Sequence, residues 1–197
     1  TPGNHSFDYF LLVQGWPNSA CQAHPCGEST FGQLSVWTMH GLWPSRAGDA
    51  ASSYPCKCDS RSFDESQVQS IEDQLHQYWP SYEGNAAEFW THEWEKHGTC
   101  SSDTKDLATE LGYFSKTLAL RGAHDIGAAL KKASITPENS KEYTAQELFA
   151  ALTPVNGFKP LLGCVRAHGK QYLHEVSFCL DKSLNDMQCD DGVLHVH

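Results

Sequence analysis

The chain has 197 residues, eight cysteines and a formal net charge of −10 at neutral pH. A polypeptide of this length can bury roughly 70% of the surface that its unfolded form exposes, and neither a repeat nor a linker divides it, so we expect one domain over residues 1–197. No segment approaches the roughly 20 apolar residues of a membrane span, and the acidic balance argues against a broad basic surface for a polyanion, so we expect no membrane partner and only local positive potential.

The expected strands are segments rich in aromatic and β-branched residues with partial alternation. They cover residues 7–16, 34–40, 171–180 and 193–197. Apolar residues at helical spacing predict helices over residues 64–79, 107–120, 126–133 and 144–152. Early strands, central helices and late strands predict an α+β fold, with an antiparallel or mixed central sheet and helices packed mainly on one side.

Two helix starts carry capping signals. Thr144 and Glu147 have the spacing of a capping box, and Asn85 with Glu88 can cap a further helix that contains residues 89–98. We expect His40, at the end of the second strand, to face this further helix.

Residues 89–98 read Phe-Trp-Thr-His-Glu-Trp-Glu-Lys-His-Gly. On a helix, His92, Glu93, Lys96 and His97 fall within an arc of roughly 140°, while Trp94 points to the other side and can anchor the helix to a core. One face then carries every group of this run that is capable of proton transfer or phosphate binding.

Two other interpretations of this helix compete with a phosphate site. A face with His, Glu and Lys is most often a solvated surface, but this run is too rich in aromatic residues for that. His-Glu-x-x-His is a zinc-protease signature, yet position 96 is Lys, and His97 lies about 140° from His92 instead of the roughly 40° that two ligands four apart would subtend. We therefore expect no metal and no other cofactor.

Cleavage of an RNA phosphodiester requires a base for the proton of the ribose 2′-hydroxyl, an acid for the departing 5′-oxygen, and cations for charge on the phosphoryl oxygens. Two histidines can supply the acid and the base, because their ordinary pKa allows one to be neutral while the other is protonated in mildly acidic solution. Lys96 supplies a cation and Glu93 can orient its neighbours. Acidification also protonates other histidines of this acidic chain, so we predict an activity optimum around pH 5 to 6.

Two segments of the chain resemble the two active-site segments of the ribonuclease T2 family of acid endoribonucleases. They are residues 37–44, Trp-Thr-Met-His-Gly-Leu-Trp-Pro, and residues 89–100, Phe-Trp-Thr-His-Glu-Trp-Glu-Lys-His-Gly-Thr-Cys. Residues 10–17 are similar to the family's first core strand, and Tyr-Trp-Pro at residues 78–80 is a further match. The likeness is strong from about residue 7 to residue 100 and thin afterwards.

The resemblance implies a role for each site residue. His40 matches the general base, His97 the general acid, and His92 a residue that holds the phosphate, while Glu93 and Lys96 match the pair that stabilises the transition state. The implied reaction forms a 2′,3′-cyclic phosphate from single-stranded RNA and then hydrolyses it. DNA lacks the nucleophile and should be inert.

Base recognition is less defined by the sequence. The resemblance implies that Trp43 and Phe89 stack on bases, although each could equally be core. Gln14 and Ser45 are further candidate substrate-binding residues. Ser45 stands where a fungal relative carries an acidic residue and Gly15 where many plant relatives carry glutamine, so the nucleobase preference stays open.

Eight cysteines indicate disulfide bonds and an oxidising compartment, either extracellular or a vacuolar or lysosomal lumen. Local spacing suggests Cys21–Cys26 and Cys179–Cys189. The resemblance implies Cys58–Cys100, and Cys56–Cys164 is what remains.

Asn4 begins an Asn-His-Ser glycosylation sequon. We expect a monomeric endoribonuclease. The alternatives are a catalytically weak RNA-binding or storage relative and a secreted metalloenzyme, and cleavage of RNA in the presence of EDTA distinguishes the three.

Overall fold

The computed structural model describes residues 6–23, 26, 34–48, 54–138 and 140–190. The sequon at Asn4 and the strand expected over residues 193–197 lie outside these ranges.

The centre of the molecule is an antiparallel sheet. Its strands are β1 (Tyr9–Gly15), β2 (Thr38–Ser45), β3 (Leu161–Ala167), β4 (Lys170–Leu180) and β5 (Asp186–Met187). The order is β2-β1-β4-β3, and the short β5 also pairs with β4. Strand β2 therefore lies at an edge of the sheet.

The helices are α1 (Pro17–Ala23), α2 (Glu72–Tyr78), α3 (Ala86–Lys96), α4 (Glu110–Ala123), α5 (Ile126–Lys132) and α6 (Ala145–Leu152). Shorter 3₁₀ segments cover Glu65–Ile71, Gly98–Ser101, Lys105–Leu107 and Thr153–Val155. The arrangement confirms the predicted α+β class.

Two cores lie on opposite faces of the sheet. Phe10 and Leu12 of β1 belong to the larger core, which also contains buried side chains of helices α2 to α6. Leu11 and Val13 belong to a smaller core built mainly from strand residues. This is the alternation expected of a β-strand, and it explains why most helices lie on one side.

The predicted second strand is displaced. It was expected over residues 34–40, whereas β2 begins at Thr38 and continues through His40 to Ser45. Gly41 and Pro44 disfavour the interior of a sheet, but an edge strand tolerates proline because one side of it needs no ladder hydrogen bonds. His40 therefore lies within the strand and not at its end.

Helix α3 has the predicted N-cap. The side-chain oxygen of Asn85 accepts a hydrogen bond from the backbone N–H of Ala87. Helix α6 has the full capping box, with reciprocal hydrogen bonds between Thr144 and Glu147. Among the described residues, no helix has the length and apolar character needed to cross a bilayer.

Candidate active site

A β-bulge in β2 positions His40. Val13 of β1 pairs with Gly41 and Gln14 pairs with Met39, so His40 is the extra residue. In a regular strand Met39 and Leu42 would face opposite sides, but the inserted residue allows both to lie in the larger core. His40 is left partly exposed beside that core.

Aromatic side chains from the helices satisfy the backbone of this edge strand. The indole N–H of Trp79 donates to the carbonyl of His40 at 3.0 Å, and the hydroxyl of Tyr113 donates to the carbonyl of Leu42 at 2.9 Å. Because both aromatic side chains are fully buried, the main chain at His40 is fixed by the core.

Helix α3 supplies the other half of the site. Trp90 and Trp94 lie in the larger core and fix the rotation of the helix about its axis. Glu93 and His97 are also buried, at 1% and 3% exposure, and His97 is the C-cap residue. The sequence predicted one functional face, and the structure divides it between buried Glu93 and His97 and more exposed His92 and Lys96.

Trp43 joins the two halves. Its ring centroid lies 4.8 Å from that of His40, in an edge-on arrangement, and 5.3 Å from that of His97, in a stacked arrangement. Because both imidazoles contact the same indole, their ring centroids can be no further apart than these two distances added together. The indole N–H of Trp43 also donates to Oε2 of Glu93 at 2.9 Å.

Gly41 makes this contact between strand and helix feasible. A Cβ atom at position 41 would overlap Nε1 of Trp43 and Oε2 of Glu93. This role of Gly41 cannot be read from the sequence, because the close approach depends on the position of helix α3.

The two imidazoles have opposite electrostatic surroundings. Burial lowers the pKa of His97 well below its ordinary value, and the charges of Lys96 and His40 lower it further. The Nδ1 atom of His97 is buried without a hydrogen-bond partner among the described residues. Nothing in this environment favours the charged form.

His40 has a carboxylate partner. Burial is the largest single influence and lowers the pKa of His40, but the hydrogen bond to Glu175 and the charges of Glu175 and Glu93 together outweigh it, and the net direction is upward. Oε1 of Glu175 lies 2.5 Å from Nδ1 of His40. The sequence analysis missed Glu175, which lies 135 residues away; the only signal was a carboxylate inside a predicted strand.

The carboxyl group of Glu93 is also perturbed. Burial raises the pKa of Glu93 to about 7, although the charges of His40 and Lys96 and the Trp43 hydrogen bond act in the opposite direction. Glu93 is therefore mostly protonated in mildly acidic solution.

Lys96 and His92 lie at the open side of α3. Nζ of Lys96 lies 5.4 Å from the ring centroid of Tyr54, and that ring lies 5.6 Å from the ring of His97. Partial desolvation and the charges of Lys96 and His40 lower the pKa of His92. These groups can hold an anion beside the two imidazoles.

The structure brings some of the expected base-binding residues into the cluster and leaves others out. The ring of Phe89 lies 5.9 Å from that of His40. Gln14, on the helix-covered face of β1, is 1% exposed, and its amide donates to the carbonyl of His124. Ser45, at the far end of β2, is 7% exposed and donates to the carbonyl of Trp43. Because the side chains of Gln14 and Ser45 are buried and hydrogen-bonded within the protein, neither is placed to meet a base.

Three disulfides join Cys21 to Cys26, Cys58 to Cys100 and Cys179 to Cys189. The expected Cys56–Cys164 bond is wrong, since both cysteines are unbonded. Cys56 lies one residue before Lys57, whose N–H bonds the end of α3, whereas Cys164 lies on β3 at the opposite edge of the sheet. Pairing by elimination ignored this separation.

Among the described residues, no group of three His, Cys, Asp or Glu side chains is placed to hold a metal ion.

Comparison with known proteins identifies the family. A model of the ribonuclease T2 family matches residues 7–189. Ribonuclease DdI of Dictyostelium discoideum is 37% identical over 191 residues, which cover 96% of this chain and 80% of that protein. Extracellular ribonuclease LE of Solanum lycopersicum is 34% identical over 184 residues, covering 90% of this chain and 77% of that protein.

A solved structure supports the same conclusion. RNase NT in complex with 5′-AMP superposes with a TM-score of 0.83 at 32% identity, over 93% of this chain and 91% of that one. The family match spans both halves of the site described above. The chain therefore belongs to the ribonuclease T2 family and is an endoribonuclease.

Proposed function

We propose that this enzyme cleaves single-stranded RNA by transphosphorylation through a 2′,3′-cyclic phosphate, with His40 and His97 as the proton-transfer groups and without a metal ion. The observation that carries the proposal is the placement of both imidazoles against Trp43. The 5′-AMP complex of RNase NT supports a nucleotide ligand for this fold. DNA has no 2′-hydroxyl and should not be cleaved.

The surroundings of the two imidazoles favour His97 as the base of the first step and His40 as the acid, the reverse of the roles implied by resemblance. His97 stays neutral in mildly acidic solution because burial lowers its pKa, and a neutral imidazole can accept the 2′-hydroxyl proton. His40 stays protonated beside Glu175 and can donate to the departing 5′-oxygen. The two exchange roles when the cyclic phosphate is hydrolysed.

Lys96, His92 and Glu93 would stabilise the phosphoryl oxygens. Lys96 supplies a positive charge next to His97, and His92 lies on the exposed side of the same helix. Glu93, with its pKa raised to about 7, is a hydrogen-bond donor below that pH and a repelling anion above it. Protonated Glu93 therefore suits a site that binds phosphate.

The pKa directions define a pH window. Activity should rise as pH increases through the pKa of His97, which is lowered, and should fall as Glu93 ionises near 7 and His40 loses its proton above its ordinary value. We expect the optimum at about pH 5 to 6. An optimum above about pH 7.5 would contradict this assignment.

The ring of Phe89, beside His40, is the better placed of the two aromatic candidates to stack on a base. Trp43 instead packs between His40, His97 and Glu93. Replacement of Phe89 by alanine should raise KM for RNA and leave kcat little changed.

The test uses His40→Ala and His97→Ala with two substrates, RNA and a nucleoside 3′-(4-nitrophenyl phosphate), both in EDTA. Each variant should lose about 10²- to 10⁴-fold in kcat on RNA. The nitrophenolate leaves without protonation, so a general acid is not needed on the ester. The kcat of His40→Ala should therefore be close to that of the wild type on the ester, whereas the kcat of His97→Ala should stay low. If the ester instead restores the kcat of His97→Ala, His97 is the acid and His40 the base.

Two results would overturn the wider proposal. If the wild-type protein gives no cyclic-phosphate products from RNA, a binding or storage role is favoured. If EDTA abolishes the activity, the chemistry depends on a metal.

We also propose that the enzyme acts as a monomer in an oxidising compartment, outside the cell or in a vacuolar or lysosomal lumen. The three disulfides and the extracellular relative LE support this location. Cell fractionation and analytical ultracentrifugation test the two statements.

A further inference from the structure

Glu175 is a buried carboxylate that reaches a proton-transfer residue from another strand. Its side chain is 5% exposed, whereas that of His40 is 36% exposed, and the two meet through Oε1 and Nδ1 at 2.5 Å. His40 lies on β2 and Glu175 on β4, with β1 between them. The contact therefore spans an entire strand.

The backbone is shaped to allow this reach. Gly15 of β1 pairs with Glu175 on one side and with Thr38 on the other. Residues paired directly across antiparallel strands face the same side of the sheet, so no side chain of β1 stands at this level between Glu175 and Thr38 of β2. A Cβ atom at Gly15 would lie 3.2 Å from the hydroxyl of Tyr82 and 3.8 Å from the carbonyl oxygen of His174, so a larger residue would first meet these two groups.

A second bulge flanks the first. Gly163 of β3 pairs with Glu175 while Cys164 pairs with Leu173, so His174 is an extra residue in β4. His40 is likewise the extra residue in β2, where the bulge lies against β1. The bulge in β4 lies against β3 and leaves the pairing of β4 with β1 regular, and bulges commonly re-aim the side chains beside them.

We propose that Glu175 is a positioning residue for the reaction: its carboxylate accepts the hydrogen bond from Nδ1–H of His40 and so presents Nε2 to the scissile phosphate. The inference rests on the proposed function for its catalytic consequence. A carboxylate can only accept, so the neutral ring of His40 carries its proton on Nδ1. The ring is then fixed in orientation and in tautomer.

Other charged or titratable groups surround this pair. Glu93, Lys96, His92 and His97, of α3 and its C-cap, interact with His40. His174 of β4 and Tyr82 of the loop before α3 interact instead with Glu175. Lys96 disfavours a cation at His40 and Glu93, when ionised, favours it. Glu175 differs from both because it hydrogen-bonds the ring directly.

The first test needs no variant and no activity. The ¹⁵N chemical shifts of the His40 ring, measured in the wild-type protein above the pH at which it loses its proton, report the tautomer. We expect the Nδ1–H form. Observation of the Nε2–H form, which predominates in free histidine, would overturn the proposal whether or not the protein cleaves RNA.

The second test compares Glu175→Gln with Glu72→Gln. Glu72 forms a similar pair with His76, 3.6 Å apart on the exposed surface of α2, and serves as the matched control. Glu175→Gln should shift the NMR titration of His40 and the alkaline limb of the pH–rate profile to lower pH, with kcat about 10-fold or more below wild type and KM little changed. Glu72→Gln should leave both profiles unchanged.

An unchanged His40 titration in a folded Glu175→Gln protein, verified by circular dichroism, would refute the positioning role. If the titration shifts and the acidic limb of the profile moves in place of the alkaline limb, Glu175 keeps its role and the acid and base are exchanged. The two failures are therefore distinguishable.

Discussion

The candidate active site has one half on strand β2 and one half on helix α3, and the two halves give their histidines opposite environments. On the strand side, His40 is partly exposed and hydrogen-bonded to a buried carboxylate. On the helix side, His97 is 3% exposed, lies next to Lys96 and has no partner for Nδ1 among the described residues. Burial sets the direction of the pKa shift at His97, whereas at His40 the carboxylate partners together overcome the effect of burial.

Under the proposed roles, this difference would allow one site to hold an acid and a base of the same residue type. Acid–base catalysis at a single pH requires groups whose pKa values have been moved apart. Here the sheet supplies the group that favours the imidazolium and the helix supplies the environment that disfavours it. Trp43 lies between them and holds both at fixed distances.

The largest effect should come from closing the space between the halves. Gly41→Ala places a methyl group where Trp43 Nε1 and Glu93 Oε2 now lie, so the indole of Trp43 and the carboxyl group of Glu93 must move. A displacement of about 1 Å can cost about 10²-fold in rate. We expect a loss of that order in kcat, measured on RNA, together with about 1 to 3 kcal/mol of stability from overpacking.

Gly84→Ala is the matched control, because nothing lies within 4 Å of a Cβ at that position. Its kcat should equal that of the wild type. Full activity of Gly41→Ala would show that the Trp43–Glu93 contact is dispensable.

The next largest effect should come from the disulfide that holds the end of helix α3. Cys58–Cys100 joins the chain after β2 to the segment after His97, across 42 residues of sequence. Replacing both cysteines with serine should reduce the free energy of unfolding by about 2 to 4 kcal/mol and lower kcat, as measured by chemical denaturation and RNA cleavage. The Cys21–Cys26 bond closes only 5 residues, so its removal should cost less and spare kcat. Equal losses would contradict this ranking.

Glu93→Gln should change how the stability of the protein depends on pH. The pKa of Glu93 is raised to about 7, so the folded state binds a proton that the unfolded state releases at lower pH, and stability falls as pH rises from the ordinary carboxyl value toward 7. The neutral amide removes this penalty and should add up to about 3 kcal/mol at pH 7.5 and little at pH 4. Thermal unfolding at the two pH values measures it, and an equal gain at both would show that ionisation is not the cause.

The smallest effect should come from the N-cap of helix α3. Asn85→Ala removes the hydrogen bond to the N–H of Ala87 and should cost about 1 kcal/mol, with a modest decrease in kcat. Thr144→Ala removes the equivalent cap of α6, which carries no site residue, and should cost a similar amount without affecting kcat. Denaturant titrations and kcat values of the two variants make the comparison.

The helix-borne half was largely predictable because helical spacing is local: His92, Glu93, Lys96 and His97 lie within six positions of sequence. The strand-borne half was not. A bulge at His40 and a partner 135 residues away depend on strand register, which alternation alone does not specify. Gln14 illustrates the same limit, because its burial follows from the helices that cover its face of β1.

The central claim is that the two imidazoles occupy opposite protonation states in the free enzyme. A site-resolved NMR titration of His40 and His97 in the wild-type protein tests it directly. We predict that His40 titrates above the ordinary histidine pKa and His97 below it. Titration in the reverse order, or of both rings at the ordinary value, would contradict it.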